Sequence, residues 1–204
     1  MGVPRDARAL LAALAAGGVA LIGAEAAAWA EEAPAVFVAP HFSEEVYLFG
    51  LGPDGRLLPP ELDLVGQLLR CRRSGRLHAI HADLARALVL VARRFGQPVH
   101  VVSGYRAAPA NGHPHSYHVR GMAADVAVPG VSPQALRDFA VERGLGGIGF
   151  YPNSGFVHLD VRDRRFWWVD YSEPGRREGL VPDPDGTAPP RPQTDGPQIS
   201  ALTF

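Results

Sequence analysis

The chain has 204 residues, 47% of them hydrophobic and 20% charged, with a formal net charge of −1 at pH 7. That is enough for one domain with a sizeable core plus tails, and the near-neutral balance excludes the basic excess that marks a nucleic-acid binder. All twenty basic residues are arginines, and the single cysteine, Cys71, excludes both an intramolecular disulfide and a cysteine-built metal site, so any metal must be held by His, Asp or Glu.

Arg5 and Arg8 precede an apolar run from Ala9 to about Ile22, and Ala28-Trp29-Ala30 follows. Charge, apolar centre and small-residue site form the pattern of an export signal, so residues 1–30 are expected to be a signal peptide cleaved after Ala30. The apolar run is shorter than the roughly 20 residues that cross a bilayer, and Glu25 lies close behind it. Membrane contact is therefore expected through this segment alone, with the mature protein in the periplasm or cell envelope.

Residues 31–41 read as a linker or an early edge strand. His41 to Leu51 alternates loosely and runs into Gly52-Pro53-Asp54-Gly55, a strong turn signal, which predicts a hairpin. Pro59-Pro60 opens a helical pattern (Leu62, Val65, Leu68, Leu69) that ends at Ser74-Gly75. A longer helix is predicted over 81–95, where Leu84, Ala87, Leu88, Val91 and Ala92 recur at helical spacing before Gly96-Gln97-Pro98 stops it. Val99 to Ser103 reads as a buried strand, 107–116 as a loop, and Met122 to Val128 as a second strand. Ser132-Pro133 fits a cap and first helical position for a short helix to Arg143. A glycine-rich link then leads through Ile148 to Tyr151 and a turn at 152–155, with strands at Phe156–Arg162 and Phe166–Tyr171. From 173 to 204 the chain is rich in proline, glycine and charge and reads as a disordered tail. Mixed helices and strands with hairpin signals predict an α+β domain with a mainly antiparallel sheet and flanking helices.

Chemistry concentrates in three places. Arg106 follows the strand ending at Ser103-Gly104, and His118 and Asp125 stand seven positions apart around Gly121. His158 and Asp160 then share a face of one strand, because side chains alternate along it. The same alternation places Ala123, Asp125 and Ala127 on one face, so small residues leave room beside the Asp125 carboxylate. His118, Asp125 and His158 make a three-ligand set with an open position, the composition of a catalytic rather than a structural zinc site. Other candidates read as structural: His78 and His81 as helix-start residues, Cys71 as a small buried hydrophobe, and one of Trp167 and Trp168 as core with its neighbour on the substrate side.

Ser103-Gly104-Tyr105-Arg106, Ser116-x-His118-x-x-Gly121-x-Ala123-x-Asp125, Gly146-Gly147-Ile148-Gly149-Phe150-Tyr151-Pro152 and Phe156-Val157-His158-Leu159-Asp160 together resemble the M15 metallopeptidases. The likeness is to their exported murein endopeptidase branch, over roughly Phe42 to Tyr171. It implies a hedgehog and D-Ala-D-Ala peptidase-like fold in a 42–172 peptidase domain, and Zn2+ held by His118, Asp125 and His158. It also implies a role for Arg106 in binding substrate or steadying the developing oxyanion. Many relatives in that group carry a glutamate base three positions before the last histidine, and others a histidine two positions before; this chain has Gly155 and Phe156 there. Asp160 is therefore the expected base or the acceptor that orients an imidazole, with His115 as a second candidate base. The implied activity is metal-assisted hydrolysis of D,D or L,D amide bonds in peptidoglycan cross-links. The alternatives are a D,D-carboxypeptidase acting on uncross-linked stems, or a wall-binding module that keeps the metal without turnover.

Overall fold

The computed structural model of the protein describes residues 34–52, 55–107, 115–176 and 179–188. The expected signal peptide at 1–30 and residues 189–204 of the expected tail lie outside the described residues. In chain order the elements are β1 (Ala35–Ala39), β2 (Glu44–Leu48), α1 (Pro59–Leu68), α2 (Ala82–Phe95), β3 (Val99–Ser103), β4 (Ala123–Ala127), α3 (Pro133–Glu142), β5 (Gly147–Tyr151), β6 (Phe156–Asp160), β7 (Phe166–Val169) and β8 (Val181–Pro182). The strands form one sheet in the order β2-β1-β3-β4-β6-β5-β7-β8.

The α+β class stands, but the sheet is mixed rather than mainly antiparallel. β1 runs parallel to β3, and β5 parallel to β7. Both parallel pairs follow from how the chain is routed. α1 and α2 carry it back along the sheet between β2 and β3, so β3 enters beside β1 in the same direction. After the β5–β6 hairpin, residues 161–165 pass the start of β5, where the Phe166 N–H donates to the Gly146 carbonyl (2.8 Å), and β7 pairs with the free side of β5.

The first hairpin also differs from expectation. β2 folds back onto β1, with Val46 opposite Phe37, through a 3₁₀ turn at Pro40–Phe42. Of the expected Gly52–Gly55 turn, Pro53 and Asp54 lie outside the described residues, and the next element in the chain is α1 rather than a second strand. The 31–41 segment thus contains β1, which is no edge strand: β2 covers one side and β3 the other. Its alternate residues Ala35, Phe37 and Ala39 are buried, which is what draws it into the sheet.

Helix ends follow their capping residues. His81 precedes α2 and its ring accepts from the Asp83 N–H (3.3 Å), and Ser132 precedes α3 and accepts from the Ala135 N–H (3.1 Å). Leu84, Leu88 and Val91 of α2 and Leu136, Phe139 and Ala140 of α3 meet Val126, Ile148, Phe150, Val157 and Leu159 in a single apolar cluster. Each large side chain so buried contributes about 1.5–3 kcal/mol. By strand alternation the opposite face of β4, β6 and β5 is left for polar groups.

Residues 179–188, which fall in the expected tail, pack on the domain. β8 pairs with β7, the Asp183 N–H donates to the Trp167 carbonyl (2.9 Å), and the buried Arg137 of α3 donates to the Ala188 carbonyl (2.5 Å). A buried guanidinium requires partners; the neighbouring Asp138 meets its Nε and Nη2, and this returning segment meets its Nη1.

Candidate metal centre

Three elements deliver the predicted ligands. Asp125 lies mid-way along β4 and His158 directly opposite it on β6. His118 comes from a 3₁₀ turn, Tyr117–Arg120, whose position is fixed by backbone bonds on both sides: the Arg106 N–H donates to the His118 carbonyl (3.2 Å) and the His81 N–H to the Gly121 carbonyl (2.9 Å). All three side chains are buried.

His118 Nε2 lies 3.1 Å from His158 Nδ1 and 3.2 Å from Asp125 Oδ1, and His158 Nδ1 lies 2.8 Å from the same oxygen. The far nitrogen of each ring is occupied. His118 Nδ1 donates to the Gly104 carbonyl (2.7 Å), and His158 Nε2 donates to Asp160 Oδ2 (3.0 Å). These bonds assign the tautomers, leaving a lone pair on His118 Nε2 and another on His158 Nδ1, both facing a carboxylate oxygen. Three acceptors turned toward one point repel unless a cation lies among them, so the residues fit a divalent metal.

Taken by themselves, the same three side chains act on one another as hydrogen-bonded charge partners. Burial alone would raise the Asp125 carboxyl, but His118 and His158 outweigh it and hold it well below the usual carboxylate range. Burial lowers His118 despite Asp125. In His158 burial is overcome by hydrogen bonds to Asp125 and Asp160, and its pKa is raised. Arg106 donates from Nε to Ser103 Oγ (3.0 Å) and from Nη2 to Asp125 Oδ2, the carboxylate oxygen turned away from the histidines.

Asp160 is placed differently from an expected base. Its carboxylate has no exposed surface and lies on the Nε2 side of His158, across the ring from the ligand atoms. Arg162 donates to it from Nε (2.8 Å) and Nη2 (2.5 Å), and although burial would raise it, these bonds bring it down to about 2. Room for a buried carboxylate comes from its cross-strand neighbours, Ala123 on β4 and Gly147 on β5. A Cβ at Gly147 would lie 2.1 Å from the Asp160 carboxyl carbon.

The centre opens into a groove of about 780 Å³ lined by Arg106, His115, Tyr151, Phe156, Arg162 and Trp168 among others. Trp168 and His158 rings lie 5.0 Å apart across Gly149, which is paired with both residues. A Cβ at Gly149 would come within 2.5 Å of the indole. Trp168 Nε1 donates to the Tyr151 hydroxyl (3.1 Å), and Tyr151 stacks on Phe156 with centroids 4.4 Å apart. Tyr151 reads from the sequence as either a core-edge or a groove-lining aromatic, and it lines the groove; Gly147 and Gly149 carry no periodic signal, and it is their shared face with Tyr151 on β5 that brings them to the site. Trp167 is core and Trp168 faces the groove, as the alternation predicts. Tyr105 and His78 stack on each other at 4.5 Å, and neither lines the groove.

A family model described as Peptidoglycan L,D-endopeptidase MepK, of the M15_2 peptidases, matches residues 41–167. The chain belongs to this family. It is 31% identical to the Peptidoglycan L,D-endopeptidase MepK of Escherichia coli over 56% of this chain and 69% of that protein. The Shigella flexneri protein of the same name gives the same figures. A Probable peptidoglycan L,D-endopeptidase MepK from Haemophilus influenzae is 28% identical over 53% of this chain and 65% of its own length. The matched span includes Arg106, His118, Asp125, Tyr151, His158 and Asp160.

Proposed function

We propose that this protein is an exported zinc-dependent endopeptidase that hydrolyses L,D amide bonds in peptidoglycan cross-links. The observation that carries the reading is the convergence of His118 Nε2, Asp125 Oδ1 and His158 Nδ1 within 3.2 Å of one another beside an open groove. The choice of an L,D bond rests on the names of the relatives. Export rests on the N-terminal pattern and on where peptidoglycan lies; among the described residues no helix is long and apolar enough to cross a membrane.

His118, Asp125 and His158 would hold the ion, which when bound supplies Lewis acidity toward the scissile carbonyl and a water of lowered pKa. The protein residues do the rest. Gly104 and Asp160 fix the two imidazoles in the tautomers that present their lone pairs. Arg106 orients Asp125 through Nη2, and its side chain lines the groove, where peptide carboxylates and a developing negative charge can be bound. Asp160, committed to His158 and Arg162, acts by orienting the ligand. Proton acceptance falls to His115, the imidazole that lines the groove without belonging to the ligand set.

The test is to incubate the metal-loaded chain, with and without chelator, with muropeptides cross-linked through an L,D bond, with muropeptides cross-linked through a D,D bond, and with monomeric stems. Chelator-sensitive loss of the L,D dimers is expected. Loss of D,D dimers alone would reassign the bond, and free alanine from monomers would indicate a carboxypeptidase. Intact substrates with metal bound would leave a wall-binding module.

A further inference from the structure

The face that β5 turns toward the ligands reads Gly147, Gly149, Tyr151, with Ile148 and Phe150 buried on the other side. The two glycines clear a trough between β6 and β7, and Tyr151 stands at its end. Trp168 lies in that trough, its ring beside His158 and its Nε1 donating to the Tyr151 hydroxyl (3.1 Å). One indole therefore spans from a predicted metal ligand to the phenol oxygen. Asp125 and Arg106 also act electrostatically on that phenol, so it sits within the field of the site as well as on the same groove.

The direction of this hydrogen bond matters. Indole N–H can only donate, so the Tyr151 oxygen is the acceptor and the phenol O–H is unspent among the described residues. Stacking on Phe156 fixes the plane of the ring, and the Trp168 bond occupies one lone pair. What remains is a preorganised donor on the groove that Asp125 and His158 also line.

We infer that Tyr151 is a further catalytic residue, whose O–H donates a hydrogen bond to the carbonyl oxygen of the scissile amide as that oxygen gains charge, and that Trp168 is the positioning residue that aims it. No proton is transferred in this contact; the bond strengthens as the carbonyl π bond opens toward a tetrahedral centre, and relaxes when the amide C–N bond breaks and the amine leaves. A donor that meets charge only in the transition state lowers the barrier without tightening substrate binding. The inference rests on the peptidase reading above.

The experiment compares the metal-loaded wild type with Tyr151→Phe and Trp168→Phe. It measures kcat and KM on the cross-linked muropeptide, calorimetric affinity for a phosphinate peptide that mimics the tetrahedral centre, and affinity for zinc. In Tyr151→Phe, which keeps the ring and its stack, kcat is expected to fall about 100-fold with KM nearly constant, and phosphinate affinity to fall at least about tenfold. Trp168→Phe is expected to show the same pattern more weakly, and zinc affinity to be unchanged in both. A kcat within about threefold of wild type, a loss confined to KM, or weakened zinc binding would each overturn the assignment. Should the wild type cleave no muropeptide, the peptidase reading fails. Phosphinate affinity then judges Tyr151 by itself: loss in Tyr151→Phe supports the contact, and equal or absent binding in both proteins overturns it.

Discussion

Asp160 shows how much of a site can depend on what its neighbours lack. A carboxylate with no exposed surface is costly unless its charge is met on every side. Here Ala123 and Gly147 leave the space, His158 and Arg162 supply the donors, and the guanidinium is itself held among aromatic rings, 4.5 Å from Tyr117 and 5.5 Å from Phe166 and Trp168. The chain thus runs from Arg162 through Asp160 to the ring that presents Nδ1 to the ligand cluster. Asp160→Asn preserves shape and removes the charge. Zinc affinity, measured by competition with a chromophoric chelator, is expected to fall about 10–100-fold. The metal-free protein is expected to lose about 1–3 kcal/mol in urea unfolding, because Arg162 keeps its burial without its counter-charge. Unchanged zinc affinity would refute the orienting role.

β5 decides whether the ligand strands can have a functional neighbour at all. With any side chain at 149, His158 and Trp168 could not meet across the strand. In Gly149→Ala the indole must leave its place, so the Trp168 bond to Tyr151 is expected to break. Cleavage is expected to drop about tenfold or more while zinc stays bound, at a stability cost of about 1–3 kcal/mol for the forced repacking. Tryptophan emission and muropeptide turnover together check this; native emission with native turnover would show that the trough tolerates a methyl group. The same strand explains what the sequence reveals and what it hides. Period two in Phe156–Arg162 places His158 and Asp160 on one face, and the small residues beside Asp125 are visible as well. Glycines in Gly146–Gly149, however, read as a link in one dimension. Their use as empty positions depends on β5 lying between β6 and β7, and a chain that passes over its own hairpin to pair in parallel leaves no periodic signature.

Over the whole molecule, the centre is assembled by segments outside the sheet as much as by β4 and β6. The end of α1 holds the residue before Arg106, since the Tyr105 N–H donates to the Leu69 carbonyl (2.6 Å), and α2 is capped by His81, which is bonded to the ligand turn at Gly121. The helices themselves are legible from apolar spacing and capping residues. These fastenings are not, because they join positions tens of residues apart through backbone atoms that every residue carries. Cys71 adds a side-chain fastening to Ala107 and to its own turn, and gives a measurable handle. Burial pushes its thiol up, but hydrogen bonds from the Ser74 hydroxyl and from the backbone N–H groups of Ala107, Ser74 and Arg73 prevail, bringing it from 9.0 down to about 7. An acid whose pKa is lower folded than unfolded stabilises the fold when ionised. That contribution is complete above the unfolded value and is lost as pH falls through the folded one. Relative to Cys71→Ala, the wild type is therefore expected to gain stability between about pH 7 and 9, by at most ~2–3 kcal/mol. With one cysteine in the chain, ultraviolet thiolate absorbance reads the group directly: a midpoint near 7 in the native protein that moves toward 9 in denaturant is expected under reducing conditions. A native midpoint at 9 would mean that these donors do not hold the thiolate, and that the segment carrying Arg106 is fastened through the Tyr105 and Arg106 N–H groups without Cys71.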